Sequence, residues 1–220
     1  MKTTVLVIAS ILFLMVGTAN ADYSLYLGGT YPSGIWVTEG GGTEQQTTGG
    51  PISPSTLNGV PLEYVYCIDL YKNVVVPATY LDTIVTNSGV IYGNTQVYNA
   101  AQIAWLLNNY GNTTDPNAQI ALQVIIWHEE YLNNTSLSVN LGASAPAAQQ
   151  VDYNNYLSAL GSNTGNVGNL LWITPADSNG EYQAEIAPGN PLGVAQTPIP
   201  STVFLLGLGL AGLIGLKKKR

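Results

Sequence analysis

The sequence predicts an α+β fold: an antiparallel β-sheet or sandwich portion with an inserted small helical portion packed on it. Three observations predict this class. Short β-branched segments bounded by Gly and Pro occupy the chain up to about residue 92, and apolar residues at helical spacing follow Asn94. Two further strand-like segments then close the domain. Strands, then helices, then strands are typical of an α+β domain.

The predicted strands begin at residues 22–27 and 34–38, which alternate in polarity or are β-branched. Residues 39–58 contain the run GGGTEQQTTGGPISPST and have no periodicity, which predicts a long flexible loop. Four more strands are predicted at residues 62–70, 73–76, 80–86 and 90–92. Because they follow one another so quickly, an antiparallel arrangement is the economical interpretation.

Three helices are predicted next. Apolar residues from Val97 to Leu107 fall at helical spacing and end at a Tyr-Gly pair. Asp115 is a good N-cap for a second helix, since Pro116 suits the first helical position, and this helix continues through NAQIALQVIIWHEEYL. Residues 145–160 predict a polar, amphipathic third helix. Two closing strands are predicted at residues 170–174 and 182–186.

The first residues predict a secretory signal peptide. Lys2 gives a positive start, VLVIASILFLMVG is the apolar core, and Ala19-Asn20-Ala21 is a small-x-small cleavage site. We therefore expect residues 1–21 to be removed and residues 22–187 to form a single domain. Residues 188–200, rich in Pro and Gly, are interpreted as a linker.

Residues 201–220 predict a sorting tail with a short membrane-spanning segment. The apolar run VFLLGLGLAGLIGL precedes the basic cluster KKKR, which physically favours a single-pass anchor with its basic end in the cytoplasm. Preceded by Pro198, Pro200, Ser201 and Thr202, this tail resembles the PEP-CTERM tail of Gram-negative bacteria, with Ile199 where that family most often has Glu. The resemblance implies recognition and removal by an exosortase-type sorting enzyme and delivery to the cell surface or extracellular space. Either a transient or a lasting inner-membrane anchor is compatible with the sequence.

The charge distribution excludes two classes of partner. All 13 acidic residues lie between the two predicted cleavage sites, but of the six basic residues only Lys72 does, so the exported part has a formal net charge of −12. This field repels nucleic acid and anionic membrane surfaces. We expect no nucleic-acid partner, and membrane contact only through the C-terminal tail.

Two residues are unusual for an exported domain. Cys67, in YVYCIDLYK, is the single cysteine, although secreted proteins normally pair their thiols. Gln123, in ALQVIIW, has apolar neighbours all round its helix, so its amide is expected to be buried and to need hydrogen-bond partners. One hypothesis explains both: the Cys67 thiolate attacks the Gln123 carboxamide, expels ammonia and leaves an internal thioester. Tyr64, Tyr66 and Trp127 would shelter such a bond from water.

Three short motifs carry a resemblance to a known family. They are Tyr66-Cys67-Ile68, then Ala101-Gln102-Ile103, then Leu122-Gln123-x-x-Ile126-Trp127. In this order they resemble the thioester domain of bacterial surface adhesins, although Leu122 stands where that family has Thr and Ile125 where Ala is usual. The resemblance implies a bond between Cys67 and Gln123, with Gln102 in the middle motif and Trp127 beside the bond. It also implies covalent capture of an amine-bearing surface or matrix target.

A bond that is consumed once does not make the protein an enzyme, and no cofactor is expected. His128 is the only histidine, so a multi-His metal site is excluded. Glu129 and Glu130 are adjacent on a helix, cannot flank one substrate bond, and are interpreted as a solvated helix end. The alternative to a thioester is a core Cys and a core Gln in a non-covalent module of the extracellular matrix or biofilm.

Overall fold

Aromatic and β-branched segments form most of the strands in a computed structural model of the chain, which describes residues 23–189. The signal peptide and the sorting tail predicted from the sequence lie outside these residues. The strands are, in chain order, β1 (Tyr23–Thr30), β2 (Ser33–Glu39), β3 (Thr43–Thr48), β4 (Ser53–Leu57), β5 (Val60–Leu62), β6 (Tyr66–Cys67), β7 (Ala78–Thr86), β8 (Val90–Ile91), β9 (Thr95–Gln96), β10 (Val139–Leu141), β11 (Leu170–Thr174), β12 (Ala176–Asp177), β13 (Gly180–Glu181) and β14 (Glu185–Pro188).

Seven of these strands form a curled antiparallel sheet in the order β5-β4-β1-β7-β11-β14-β6. Leu25 and Leu27 on β1 are fully buried and alternate with more exposed neighbours, as expected for a strand with one face in the core. All five residues of β11 are buried, because this strand lies between β7 and β14. Strands β10, β2 and β3 form a second, smaller sheet.

Three α-helices lie between strands of the main sheet along the chain: α1 (Ala100–Tyr110), α2 (Pro116–Tyr131) and α3 (Ala147–Leu160). All three fall between β7 and β11, which are neighbours in the sheet. The α+β class and the inserted helical portion predicted from the sequence are therefore confirmed.

Helix α2 begins as predicted. The Asp115 carboxylate accepts hydrogen bonds from the backbone N–H groups of Asn117 (2.7 Å) and Ala118 (3.3 Å), and Pro116 follows the cap. This satisfies two of the N–H groups that a helix start leaves without partners. The helix packs against α1, α3 and β10, which is why nearly every side chain from Ala118 to Trp127 is buried.

The prediction for residues 39–58 is wrong. They contain β3 and β4, which pair with β2 and β1, respectively. β3 has the sequence TEQQTT and no buried side chain, so it carries no alternation of polar and apolar residues. This strand forms through backbone pairing with β2. The periodicity of a sequence indicates which side chains are buried and not which backbone segments pair, so it does not predict a strand without buried side chains.

Two other predictions need correction. Residues 73–76 form no strand, since the N–H and C=O of Val75 bind the Tyr80 hydroxyl instead of a neighbouring strand. Val74 and Val76 line a cavity. Glu129, expected at a solvated helix end, is buried and accepts a hydrogen bond at 2.7 Å from the side-chain amide of Asn99, just before α1. Within residues 23–189 no helix combines the length and apolar character needed to cross a bilayer.

Candidate functional site

Cys67 lies on β6, the strand at one edge of the seven-stranded sheet. Only one side of β6 is paired, to β14, with Tyr66 opposite Ile186 and Cys67 opposite Glu185. The next ladder bond runs from the Ile68 N–H to the carbonyl of Ala184. Cys67 therefore belongs to a non-hydrogen-bonded pair, and its own N–H and C=O point away from β14.

The side-chain amide of Gln123 occupies that open edge. Its Nε2 donates to the carbonyl oxygen of Cys67 at 2.7 Å, and its Oε1 accepts from the Cys67 N–H at 3.0 Å. The amide thus pairs with Cys67 much as a residue of an adjoining strand would. Gln123 is fully buried, as the sequence predicts, and these contacts satisfy its polar atoms.

A second backbone donor reaches the same oxygen. The N–H of Gly50 lies 2.8 Å from Gln123 Oε1, so two N–H groups, from Gly50 and Cys67, converge on one carbonyl oxygen. Both distances lie in the range of donors that stabilise the developing oxyanion when a carbonyl is attacked. The Gln123 carbonyl oxygen therefore accepts two backbone hydrogen bonds, the same number and kind of donors that an oxyanion hole supplies.

The segment that supplies Gly50 comes very close to α2. A Cβ atom added at Gly49 would lie 2.6 Å from Cη2 of Trp127 and 3.1 Å from Cγ of Gln123. Glycine is therefore required at position 49 for the backbone to approach this closely. Trp127 is fully buried beside Gln123, on the same side of the helix, and its indole N–H has no partner among the described residues.

Tyr64 and Tyr66 bind the end of α1. The Tyr64 hydroxyl donates to the carbonyl of Leu107 at 3.1 Å, and the Tyr66 hydroxyl donates to that of Gly111 at 3.4 Å. Because neighbouring strand residues point to opposite faces, Tyr66 and Cys67 do not share a face of β6. These tyrosines hold the strand in position. Gln102 is half-buried on α1 and, within residues 23–189, makes no side-chain hydrogen bond to the site.

Glu185, on β14 opposite Cys67, was not singled out by the sequence. It is fully buried, and neither carboxyl oxygen has a hydrogen-bond partner among the described residues. The Cys67 thiol lies close enough to affect the pKa of this carboxyl, but the pair does not meet the geometric criteria of a hydrogen bond. Burial raises the pKa of the Glu185 carboxyl well above its usual range, so the neutral acid is favoured.

The Cys67 thiol is free and buried. Burial is the main reason that its pKa is raised, and the neighbouring Glu185 carboxyl raises it further, while the N–H of Gly50 acts in the opposite direction. A buried thiol of raised pKa is a weak nucleophile unless another group takes its proton as it reacts.

A cavity of about 90 Å³ reaches Cys67. Its walls are mostly uncharged, and they include the Gly49 backbone and the one basic residue in the described part of the chain, Lys72. The Lys72 ammonium lies 3.5 Å from the centre of the Tyr92 ring, a cation–π contact. The cavity has room for a few water molecules or a slender alkyl chain.

Asp69, two residues after Cys67, organises the chain that follows. Its carboxylate accepts from the hydroxyls of Tyr92 (2.7 Å) and Tyr131 (2.8 Å) and from the N–H of Tyr71 (2.9 Å). The backbone carbonyl of Asp69 accepts from the side chain of Gln183. These contacts connect the segment after β6 to α2 and to the start of β14.

The residues that sequence reasoning missed are therefore Gly49, Gly50, Asp69 and Glu185. A Gly-Gly pair in the presumed loop and a single carboxylate among the apolar residues of a predicted strand were the available signals. In the part of the chain that the structure describes, no group of three or more His, Cys, Asp or Glu side chains could hold a metal ion. His128 binds the carbonyl of Val139 through Nδ1 at 2.9 Å.

Comparisons with protein-family models, curated proteins and solved structures found no match to this chain.

Proposed function

We propose that this protein is an exported surface protein with an internal Cys67–Gln123 thioester, which covalently captures amine-bearing targets in adhesion or matrix attachment. The observation that carries the proposal is the pair of N–H groups, from Gly50 and Cys67, on Gln123 Oε1. Two backbone N–H groups on one amide carbonyl, one of them from the residue that carries the buried thiol, form an arrangement suited to acyl transfer.

Formation of the bond is an attack of the Cys67 sulfur on Cδ of Gln123. The S–C bond forms, the C–N bond breaks, and the thiol proton leaves with the nitrogen as ammonia. The negative charge that develops on Oε1 in the tetrahedral intermediate is stabilised by the two N–H groups already 2.8 and 3.0 Å away. The hydrogen bond from Nε2 to the Cys67 carbonyl holds the amide against the backbone of the residue that carries the thiol.

Capture of a target reverses the roles of sulfur and nitrogen. A primary amine attacks Cδ of Gln123, the new C–N bond forms, the C–S bond breaks, and Cys67 recovers its thiol proton from the amine nitrogen. The product is a stable secondary amide. The reaction occurs once for each molecule, so the proposed activity is single-use binding rather than turnover.

The cavity at Cys67 supports a narrow class of target. At about 90 Å³ it admits an unbranched aminoalkyl group, such as a lysine side chain or the end of a polyamine, more readily than a bulky amine. The strongly acidic exported part, with its formal charge of −12, also attracts cationic amines to its surface. The signal and sorting motifs of the sequence support action at the cell surface after recognition by an exosortase-type enzyme.

The test is a mass measurement on the full chain as the cell processes it. The chain is mapped before and after incubation with methylamine. Before incubation, peptide mapping is expected to find a linked Cys67–Gln123 peptide pair that is lighter by one ammonia than the two separate peptides. After incubation, one methylamine is expected on Gln123 with a free Cys67 thiol. The Cys67→Ala variant should show neither change, and Gln102→Ala is the matched control that should behave like the unmodified chain. Methylamine incorporation by Cys67→Ala would overturn the proposal.

A second candidate is a non-covalent matrix or biofilm module without a thioester. The same three hydrogen bonds of Gln123 favour it, because by themselves they satisfy the open edge of β6. In that case Cys67 should react fully with a thiol reagent in the unfolded protein, without prior treatment with an amine.

A further inference from the structure

The thioester chemistry needs a proton carrier that the motifs do not supply. The thiol must lose a proton and the departing nitrogen must gain one, yet Cys67 and Gln123 are both buried, with relative exposures of 3% and 0%. The cavity of about 90 Å³ reaches Cys67, but Gln123 is not among the residues that line it, so water in that cavity does not reach the amide nitrogen. Since His128 binds the Val139 carbonyl, the one histidine is also committed elsewhere.

Glu185 is placed for this task by strand register. It lies directly opposite Cys67 in the β6–β14 ladder, in a non-hydrogen-bonded pair, the type in which the two side chains approach most closely on one face of the sheet. The carboxyl is fully buried, and neither oxygen has a hydrogen-bond partner among the described residues.

An unpartnered buried carboxyl is unfavourable for folding. A buried polar group without hydrogen bonds loses its contacts with water and gains none in return, so its presence needs an explanation. Glu129, which is also buried, has a partner, the amide of Asn99 at 2.7 Å. Glu130 is half-buried, and its Oε2 is a buried atom without a partner among the described residues. Glu185 instead faces the one thiol of the chain.

We propose that Glu185 is the proton-transfer group of the Cys67–Gln123 reaction, a role that rests on the proposed function. As the sulfur attacks Cδ, one carboxyl oxygen takes the thiol proton while the other gives its own proton to the departing nitrogen. The S–C bond forms, the C–N bond breaks, ammonia leaves, and Glu185 ends protonated as it began. The same carboxyl, in the reverse direction, takes a proton from the attacking amine and returns one to sulfur.

The raised pKa of Glu185 is consistent with this role, because a neutral carboxylic acid carries both a donor and an acceptor. No net charge then develops on Glu185 in the buried site. Proton transfer by a positioned side chain typically contributes about 10²–10⁴-fold to a rate.

The experiment follows bond formation in the full chain at intervals after a pulse of synthesis, by peptide mapping of the folded, protease-resistant fraction. Glu185→Gln, which has nearly the shape of the neutral acid, is expected to form the bond at least about 100-fold more slowly than the unmodified chain. Glu129→Gln, the matched control, should form it at the unmodified rate. Glu185→Asp separates chemistry from packing, since Asp retains the carboxyl but fills less of the site.

The outcomes distinguish the two proposals. If Glu185→Asp forms the bond faster than Glu185→Gln, the carboxyl itself is needed; the opposite order, which a packing role predicts, overturns the inference. Equal rates for Glu185→Gln and the unmodified chain overturn it as well, while leaving the thioester intact. If the unmodified chain never loses ammonia, the proposed function fails and the role of Glu185 fails with it. Should Glu185→Gln leave no folded fraction, the comparison of Glu185→Asp with Glu185→Asn becomes the test, and equal rates in those two variants overturn the inference.

Discussion

The amide of Gln123 binds both backbone groups of Cys67, donating to its carbonyl at 2.7 Å and accepting from its N–H at 3.0 Å. One side chain from α2 thereby satisfies the free edge of β6. The Gly50 N–H, from the segment before β4, binds the same amide oxygen. Gln123 consequently links three parts of the chain that are far apart in sequence.

This relationship predicts the cost of removing the amide. In a Cys67→Ala background, in which no cross-link can form, Gln123→Ala leaves the N–H groups of Gly50 and residue 67 and one carbonyl without partners. We expect the free energy of unfolding to fall by about 2–5 kcal/mol, from lost hydrogen bonds and a cavity together. Chemical denaturation of the two proteins measures the difference. Gln102→Ala in the same background should change stability by less than about 1 kcal/mol, and an equal effect of the two substitutions would contradict the assigned contacts.

The close approach at Gly49 predicts a steric effect on the site. Gly49→Ala places a methyl group 2.6 Å from the Trp127 ring, so either the loop or the ring must move and the Gly50 N–H is displaced from Gln123. We expect a loss of about 1–3 kcal/mol in stability and slower thioester formation, measured by denaturation and by peptide mapping. Gly29→Ala is the control, because its added Cβ would meet only Pro77 at an ordinary 3.4 Å. Unchanged bond formation in Gly49→Ala would show that the loop tolerates the shift.

If the proposed thioester forms, the contact between Lys72 and Tyr92 predicts that the protein does not capture its own lysine. Lys72 lines the cavity that reaches Cys67, and its ammonium lies over the Tyr92 ring. Tyr92→Leu removes the ring face, and we expect the released amine to open the thioester and form a Lys72–Gln123 amide within one chain. Peptide mapping detects this cross-link as a Lys72–Gln123 peptide pair that is lighter by one ammonia, with a free Cys67 thiol. Tyr92→Phe retains the ring and should give no cross-link; a cross-link of equal yield in both variants would exclude the cation–π explanation.

The raised pKa values of Glu185 and Glu130 predict a pH dependence of stability. Burial is the main cause in both, and the neighbouring Asp69 raises the pKa of Glu130 further. The folded state therefore keeps protons that the unfolded chain releases above its ordinary Glu pKa of 4.5. The stabilisation is fully present below about that pH and is lost as pH rises from there toward the folded-state pKa, by at most about 1.4 kcal/mol per pH unit for each proton.

Denaturant unfolding at a series of pH values, in the Cys67→Ala background, measures this slope. Glu185→Gln should remove the contribution of one proton, and Glu130→Gln that of another. A free energy of unfolding that rises with pH above about 5 would contradict the protonated state assigned to these carboxyls. A pH dependence that is the same in both variants as in the Cys67→Ala protein would contradict it as well.

The sequence by itself determined the helices, the α+β class and the burial of Gln123. Asp115, Pro116 and the apolar spacing specify α2 through contacts within one or two turns, and such local interactions can be read along the chain. An apolar surround on a helix likewise requires a buried amide to find partners, although it does not say which.

Only the tertiary structure decided what those partners are. Gly50 and Cys67 lie 73 and 56 residues from Gln123, and Glu185 meets Cys67 only because β6 pairs with β14 at the sheet edge. β3 is a second example of what the sequence does not predict. It pairs with β2 through its backbone, and its side chains have no apolar pattern that would indicate a strand. Hydrogen bonds and strand register between distant segments depend on how the sheet closes, and side-chain periodicity carries no information about that closure.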